Sequence, residues 1–390
     1  MFLMVHAGAG FHSLSNESKY KKEIQKIIKL TINGNETETN NENEKEKTND
    51  SESKNRKRNR NQLESAEETA CFATELLETF PLTNAGISGA NFTLDGKIEC
   101  DSAIMNSEGY FASVAAVPLY PPHSKTLCLH PIAIATRLLK NSLEGPMDAG
   151  RQPPLMLCGP AAQQFALDQG LESIPSKNVE KLISSEQKER YKDHLFILKR
   201  HQERSSKKVK LDTRDMLQDT VGAIALDSLD HMASCVSSGG ISLKHPGRIG
   251  EAALPGVGAY VQSQDGITIG VSLSGTGEQI IKTNLGTRIV QSLFNQPDSF
   301  LHEELERILT NDFLNSPLIS RDIEKNVGVI LVKKSSEMLE AFWGHTTTSF
   351  CIGFSNGKGK SKCIISRKKD NQRVKVGGQM IIYDEKLLKV

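Results

Sequence analysis

The 390-residue sequence lacks the marks of several common protein classes. No apolar run approaches the roughly 18 residues that a membrane-spanning helix needs. The seven cysteines are scattered and form no C-x-x-C pair, a usage typical of reduced, packed thiols in an intracellular protein. There is no G-x-G-x-x-G or Walker pattern and no metal-ligand spacing of His, Cys and acidic residues, so neither a nucleotide site nor a metal site is predicted. A net charge of +1 implies no general attraction to nucleic acid or to a membrane.

Apolar residues are also scarce, at 37% of the chain, because two long segments are polar. Residues 33–62 contain no aliphatic or aromatic side chain, so they cannot offset the entropy of ordering and are predicted to be a disordered low-complexity insertion. Residues 172–219 are predicted to be a mobile linker, part of which has helical spacing. Basic clusters at 54–60 and 199–210 are typical of nuclear import signals, although solvated loops explain them equally well.

Between the polar segments, apolar spacing alternates between strand and helix patterns. The apolar run at residues 1–5 follows no basic segment and precedes no cleavage site, so it is predicted to be a strand rather than a signal peptide. Two further apolar runs, at 221–226 and 233–236, flank a polar turn at 227–230 and predict a β-hairpin. Helical spacing predicts one long helix over residues 278–294.

Polar motifs surround this hairpin in a distinctive order. Asp219 and Thr220 come directly before its first strand, and Ser-Ser-Gly-Gly closes its second strand at 237–240. Lys-His-Pro-Gly-Arg follows at 244–248, and Ser-Gly-Thr-Gly-Glu at 274–278. A threonine at the start of a strand is ordinarily just a β-branched residue that suits a strand. Few soluble proteins, however, contain this whole ordered set.

The set resembles the threonine-nucleophile hydrolases of the asparaginase/isoaspartyl peptidase family, whose usual opening is the His-Ala-Gly-Ala-Gly seen here at 6–10. Within that family it looks most like the threonine aspartase (taspase) branch, because of the Lys-His-Pro before Arg248 and the Trp-x-His-Thr-Thr at 343–347. The resemblance covers nearly the whole chain outside the two polar segments. It implies an α+β fold, the four-layer αββα sandwich of N-terminal-nucleophile hydrolases, built as a single hydrolase domain over residues 1–390.

The resemblance also implies that Thr220 is a nucleophile and that the chain cuts itself between Asp219 and Thr220. A threonine hydroxyl is a weak nucleophile without a nearby base. An N-terminal threonine carries its own base, since an α-amine has a reference pKa of about 8 and can accept the hydroxyl proton. Self-cleavage would give an alpha subunit, residues 1–219, and a beta subunit, residues 220–390. Two such alpha/beta pairs could also associate as a dimer.

Further site residues follow from the aligned motifs. Ser238 matches the family's supporting hydroxyl, although a serine before two glycines is also a common turn residue. Ser274 and Gly275 match the pair that stabilises the oxyanion and positions the substrate. Asn84, in an Asn-Ala-Gly loop, is expected to border the substrate site.

Arg248 matches the family's substrate anchor, and its planar guanidinium suits bidentate capture of a carboxylate. If it holds the side-chain carboxylate of an aspartate, the main-chain carbonyl of that aspartate faces Thr220, and the enzyme cuts after Asp. Glu251 stands where the asparaginases place an Asp that holds the free ammonium of a small substrate. Because Glu251 is also an acid, an amino-acid or isoaspartyl substrate remains an alternative to a protein substrate.

The sequence therefore predicts a nuclear threonine endopeptidase that cuts after Asp. By resemblance its protein substrates would be transcription regulators, of the mixed-lineage-leukaemia histone methyltransferase type and the precursor of transcription factor IIA, with the cytoplasm left open as a second location. The alternative is an asparaginase or isoaspartyl peptidase. An inactive relative that only binds partners is a third interpretation. No cofactor, membrane or direct nucleic-acid contact is expected.

Overall fold

A computed structural model describes residues 1–33, 65–121, 124–203, 220–297, 299–336, 338–355 and 361–382. Its secondary structure alternates between strands and helices along the chain. The strands are β1 (Phe2–Gly10), β2 (Ile98–Asn106), β3 (Phe111–Tyr120), β4 (Thr126–Leu127), β5 (Met156–Cys158), β6 (Ile174–Pro175), β7 (Val221–Leu226), β8 (Met232–Ser238), β9 (Ala259–Gln264), β10 (Ile267–Gly275), β11 (Val327–Lys334), β12 (Met338–His345), β13 (Ser349–Ser355), β14 (Ser361–Arg367) and β15 (Lys375–Ile382). The α-helices are α1 (Glu17–Asn33), α2 (Ala66–Glu78), α3 (Gly86–Gly89), α4 (Pro131–Leu143), α5 (Pro160–Asp168), α6 (Ser185–Glu203), α7 (Gly277–Thr283), α8 (Leu285–Asn295) and α9 (Leu301–Ile308).

Two sheets form the centre of the molecule. The first has eight strands in the order β14-β13-β1-β7-β8-β2-β3-β5, and the second has five in the order β15-β12-β11-β10-β9. β10 of the second sheet packs against β7 and β8 of the first. Because side chains alternate across a strand, Met4 and Ile224 point into the apolar layer between the sheets, where they meet Ile330.

Helices cover the outer face of each sheet. Leu3 and Val5 turn to the opposite side from Met4 and pack with residues of α1, α2 and α4. Val271 and Leu273 of the second sheet likewise pack with α8 and α9. The four layers are therefore helix, sheet, sheet and helix, which confirms the predicted αββα sandwich.

The predicted hairpin is formed by β7 and β8, which pair antiparallel with Val221 opposite Ser237. Asp227 fixes the turn because its Oδ1 accepts hydrogen bonds from the backbone N–H groups of Leu229, at 2.8 Å, and His231, at 3.0 Å. Asp230 takes the positive φ of 63° that completes the turn. The hairpin therefore fixes the register around the start of β7.

Three sequence expectations differ from the structure or lie partly outside the described residues. The single helix predicted over 278–294 is two helices, α7 and α8, because Asn284 between them is left-handed with φ 46°. The described part of the predicted 172–219 linker contains a 3-10 segment, Ser176–Leu182, and α6. The predicted 33–62 insertion, apart from Asn33, and residues 204–219 lie outside the described residues.

The predicted strand at the chain start is confirmed as β1, in the interior of the eight-stranded sheet. Among the helices that the structure describes, none is long and apolar enough to cross a membrane.

Candidate active site

Thr220 lies directly before β7 and is 2% exposed. Since Val221 pairs with Ser237 across the hairpin, Thr220 is placed opposite Ser238, the last residue of β8. Their hydroxyl oxygens are 2.9 Å apart, within hydrogen-bond distance. The hairpin register therefore brings together two of the predicted catalytic residues.

Glu251 brings a carboxylate to the same hydroxyl. It begins a short 3-10 helix, Glu251–Ala253, and is 2% exposed. The Thr220 hydroxyl donates a hydrogen bond to Glu251 Oε1 at 2.9 Å. Burial raises the pKa of Glu251 to about 7, although the Arg248 charge, a backbone hydrogen bond and the Thr220 hydroxyl all act to lower it. A carboxyl group that changes charge near neutral pH thus contacts the candidate nucleophile.

Arg248 is placed next to Glu251 but is already paired. Its Nε and Nη2 donate to the two carboxylate oxygens of Glu278, at 2.8 and 2.6 Å. This is a bidentate ion pair, and it occupies the guanidinium edge that would best capture a substrate carboxylate. Nη1 turns toward Gly240, where a Cβ would lie 3.0 Å from it. Nη1 is therefore the terminal guanidinium nitrogen of Arg248 that does not bond Glu278.

Lys244 adds a second cation at this point. It is 1% exposed, and its Nζ donates to the main-chain oxygen of Glu99 at 2.8 Å. A Cβ on Gly240 would lie 3.3 Å from Lys244 Nζ and 3.0 Å from Arg248 Nη1. Within the described part of the chain, no carboxylate forms an ion pair with Lys244. The two cations therefore converge beside Gly240. No site role was predicted for Lys244, although it begins the Lys-His-Pro-Gly-Arg motif.

Asn84 supports the loop that follows Ser238. Its Nδ2 donates to the main-chain oxygen of Gly240 at 2.7 Å, and its own main-chain oxygen accepts from Gly239 N–H at 2.7 Å. Ser238 Oγ accepts from Gly240 N–H at 3.0 Å. A Cβ on Gly239 would meet Asn84 Oδ1 at 2.5 Å, so this close approach requires glycine. The structure thus places Asn84 against the backbone that follows Ser238.

Ser274 and Gly275 end β10 at the same end of the sandwich as Thr220. Ser274 Oγ accepts from the backbone N–H of Ala9 at 3.0 Å, and Ala7, two residues earlier, pairs with Val221. The segment continues to Gly277, where a Cβ would lie 2.5 Å from Glu251 Oε2 and 2.8 Å from Arg248 Nη2. A glycine at 277 therefore lets this segment approach the side chains of Glu251 and Arg248.

Two buried groups behind the site were missed in the sequence. His6 contacts Ser272 Oγ through Nε2 at 2.9 Å. Burial lowers the pKa of His6 to about 3, although a hydrogen bond with the Thr220 backbone acts to raise it. Asp101 accepts from the backbone N–H of Gly250 at 2.8 Å, which fixes the residue before Glu251. In the sequence, His6 was marked only by its place in the His-Ala-Gly-Ala-Gly opening, and Asp101 only by its place in the segment that forms β2. Among the described residues no group of His, Cys and acidic side chains is arranged to hold a metal ion.

Asp219 lies outside the described residues, so the predicted cleavage site is described only on its Thr220 side. The structure therefore assembles Thr220, Ser238, Glu251 and Arg248 in one cluster. Ser274 and Gly275 lie at the same end of the sandwich, and Asn84 supports the cluster from behind.

Comparison with known proteins gives a consistent picture. A family model described as asparaginase matches residues 24–365. An isoaspartyl peptidase of Salmonella typhimurium is 29% identical over 293 residues, which are 72% of this chain and 82% of that protein. An isoaspartyl peptidase/L-asparaginase of Mus musculus is 31% identical over 295 residues, 75% of this chain and 77% of that protein. An N(4)-(beta-N-acetylglucosaminyl)-L-asparaginase of Elizabethkingia miricola is 28% identical over 237 residues, 60% of this chain and 59% of that protein.

Proposed function

The chain belongs to the asparaginase family of N-terminal-nucleophile hydrolases, and from that premise we propose that it is a self-activating threonine hydrolase with Thr220 as its nucleophile. The observation that carries this proposal is the buried Thr220 hydroxyl, held between Ser238 Oγ and Glu251 Oε1 at 2.9 Å each. A hydroxyl that is hydrogen-bonded to both a second hydroxyl and a carboxylate is oriented and partly activated for attack.

Cleavage between Asp219 and Thr220 would convert the Thr220 nitrogen from an amide into an amine. With a reference pKa of about 8, that amine is a suitable base for the hydroxyl in each later turnover. Ser238 would hold the Thr220 hydroxyl and amine in position by hydrogen bonding. Ser274 and Gly275, at the end of β10, would stabilise the oxyanion. The substrate acyl group would then pass through an ester on Thr220 that water hydrolyses.

For the substrate, our first candidate is a peptide bond that follows Asp in a protein. The observation in its favour is that Glu251 Oε1 bonds the Thr220 hydroxyl, which gives this acid a role that does not depend on a substrate ammonium. A peptide has no ammonium at that position. Arg248 and Lys244, which converge beside Gly240, would hold the aspartate side chain. This is the activity of the threonine aspartase branch, which the sequence motifs resemble.

The second candidate is hydrolysis of isoaspartyl dipeptides or free asparagine. The relatives support it more directly, because the proteins from Salmonella typhimurium and Mus musculus are named isoaspartyl peptidase and isoaspartyl peptidase/L-asparaginase. It requires that Glu251 accepts a hydrogen bond from the substrate ammonium as well as from the Thr220 hydroxyl.

Parallel assays of the processed enzyme separate these candidates. The substrates are a peptide with an internal Asp–Gly bond, an isoaspartyl dipeptide and free asparagine, with Thr220→Ala as the inactive control. Cleavage of the first alone supports the endopeptidase, and turnover of only the two small substrates replaces it with the second candidate. Inactivity of the processed chain toward all three would contradict the proposal of a hydrolase acting at aspartyl groups.

We further propose a nuclear setting, which rests on the basic clusters at 54–60 and 199–210. Transcription regulators are the proposed protein substrates, and this part of the proposal rests only on the resemblance of the motifs to the threonine aspartase branch. A fluorescently tagged chain that lacks both clusters should lose its nuclear accumulation. Deletion of the acidic residues 36–52 is the matched control, because it shortens the same insertion while leaving both basic clusters in place. Unchanged nuclear accumulation of the doubly deleted chain would refute this location signal.

A further inference from the structure

Self-cleavage poses a chemical problem that turnover does not. Before the chain is cut, the Thr220 nitrogen belongs to a peptide bond, and an amide nitrogen is not a base at neutral pH. Another group must therefore accept the hydroxyl proton during the first cleavage. We propose that the Glu251 carboxylate is this base, an inference that rests on the proposed function.

The contacts of Thr220 Oγ1 support this choice. Among the described residues its hydrogen-bond partners are Ser238 Oγ and Glu251 Oε1, each at 2.9 Å. A serine hydroxyl is no stronger a base than the threonine hydroxyl it would have to deprotonate. His6 lies behind the site, but its Nε2 is bonded to Ser272 Oγ at 2.9 Å, and burial lowers the pKa of His6 to about 3, which makes it a weak base. Glu251 is thus the partner with the chemistry of a base, and it is within proton-transfer distance.

The surroundings of Glu251 tune it for this step. Arg248 faces it from its own loop, Thr220 from the start of β7, and Asp101 from β2. Burial is the largest influence and raises the pKa, Asp101 raises it further, and Arg248 and Thr220 lower it, with a result of about 7. Glu278 binds Arg248 and so moderates the cation's influence. A base with this pKa is substantially ionised at neutral pH and is much stronger than an ordinary carboxylate.

The proton balance of the step is simple. Glu251 takes the proton from Thr220 Oγ1 as that oxygen bonds to the carbonyl carbon of Asp219. The bond between this carbon and the Thr220 nitrogen then breaks, and Glu251 returns the proton to the departing nitrogen. The product is an ester between Asp219 and Thr220 Oγ1 together with a free α-amine. Water then hydrolyses the ester, assisted by the new amine, and releases Thr220 as the N-terminal residue.

The test follows the first cleavage itself. Full-length wild-type, Glu251→Gln and Glu251→Asp chains are made by cell-free translation and moved to buffers between about pH 5.5 and 8.5, and the uncut fraction is followed by gel and intact mass. In the wild type the rate should rise about tenfold per pH unit below an inflection near 7 and then level off. Glu251→Gln should be at least about tenfold slower at pH 8 and lose this inflection.

Two controls give this test its meaning. Glu251→Asp keeps a titrating carboxylate but is one methylene shorter, so it should be slower than wild type while retaining a pH inflection. Glu304→Gln removes a carboxyl group that is similarly buried, at 3% exposure, but lies on α9 and accepts hydrogen bonds from Arg307 of the same helix and Ser292 of α8. It should cleave at the wild-type rate with the wild-type pH profile.

The outcomes separate this inference from the proposed function. Failure of the wild type to cut at any pH, or cutting by Thr220→Ala, contradicts the function itself. Wild-type cutting matched by Glu251→Gln in both rate and pH profile overturns only the role of Glu251. If Glu251→Gln does not fold, as judged by its thermal transition, the wild-type profile decides, and a rate independent of pH overturns the inference.

Discussion

The raised pKa of Glu251 predicts that this residue weakens the fold as the pH increases. In the unfolded chain the carboxyl has its ordinary pKa of 4.5, and in the folded chain the pKa is about 7. An acid with a raised folded pKa favours the folded state only when it is protonated. The folded state is therefore least disadvantaged below about pH 4.5, and stability is lost as the pH rises from there through 7.

The perturbation is Glu251→Gln in chains that also carry Thr220→Ala, so that one uncut polypeptide is compared throughout. Glutamine has the same shape but no charge. The rise of the Glu251 pKa from 4.5 to about 7 corresponds to about 3 kcal/mol, most of which develops between pH 5 and pH 8. Removing the Thr220 hydroxyl also removes a bond that lowers the Glu251 pKa, so the effect should not shrink in this background.

The assay is urea unfolding followed by circular dichroism at pH 5 and pH 8. Glu251→Gln should stabilise the chain more at pH 8 than at pH 5, by about 2 to 3 kcal/mol. Glu304→Gln is the control. Bonding to Arg307 lowers the Glu304 pKa, so this carboxyl is ionised at both pH values, and its loss should lower the stability of the chain by a similar amount at each. Equal effects of Glu251→Gln at the two pH values would refute the claim that this carboxyl is forced toward its neutral form.

Three further substitutions test other parts of the site. Ser238→Ala removes the hydroxyl 2.9 Å from Thr220 Oγ1 and should slow both self-cleavage and turnover by about 10- to 100-fold, measured by gel and by peptide hydrolysis; an unchanged rate would exclude a supporting role. Gly277→Ala puts a methyl group 2.5 Å from Glu251 Oε2 and should abolish turnover while a thermal melt still shows a folded chain; full activity would mean that this segment is not close-packed in solution. Arg248→Lys removes Nη1, the nitrogen beside Gly240 that does not bond Glu278, and should raise KM for an Asp-containing peptide by about tenfold or more with a smaller change in kcat; an unaltered KM would remove Arg248 as the carboxylate anchor.

Part of this site could be predicted from the chain by local rules. The hairpin was visible as two apolar runs around a polar turn, and its turn residue Asp227 bonds two nearby backbone N–H groups. Once the hairpin is placed, the register puts Thr220 opposite Ser238 without further information. Strand and helix spacing also indicated the elements that form the four layers.

The remaining contacts depend on how distant loops fold. Glu251 reaches Thr220 only because the loop before it is held by Asp101, from a strand about 150 positions away. Arg248 was expected to face a substrate, yet Glu278 occupies its bidentate edge, a pairing that motif spacing does not reveal. The break at Asn284 was missed because the apolar spacing continues through it, and only a left-handed backbone separates α7 from α8.

The proposed mechanism requires that Thr220 acts as the nucleophile in the first cleavage and thereby becomes the free N-terminal residue that acts in each later turnover. The decisive measurement is the intact mass of the purified full-length chain beside Thr220→Ala, with N-terminal sequencing of any fragments. We expect two fragments from the wild type, one of them beginning at Thr220, and a single uncut chain from the variant. A wild-type chain that stays whole after long incubation at neutral pH, or a cut at any other bond, would contradict this expectation.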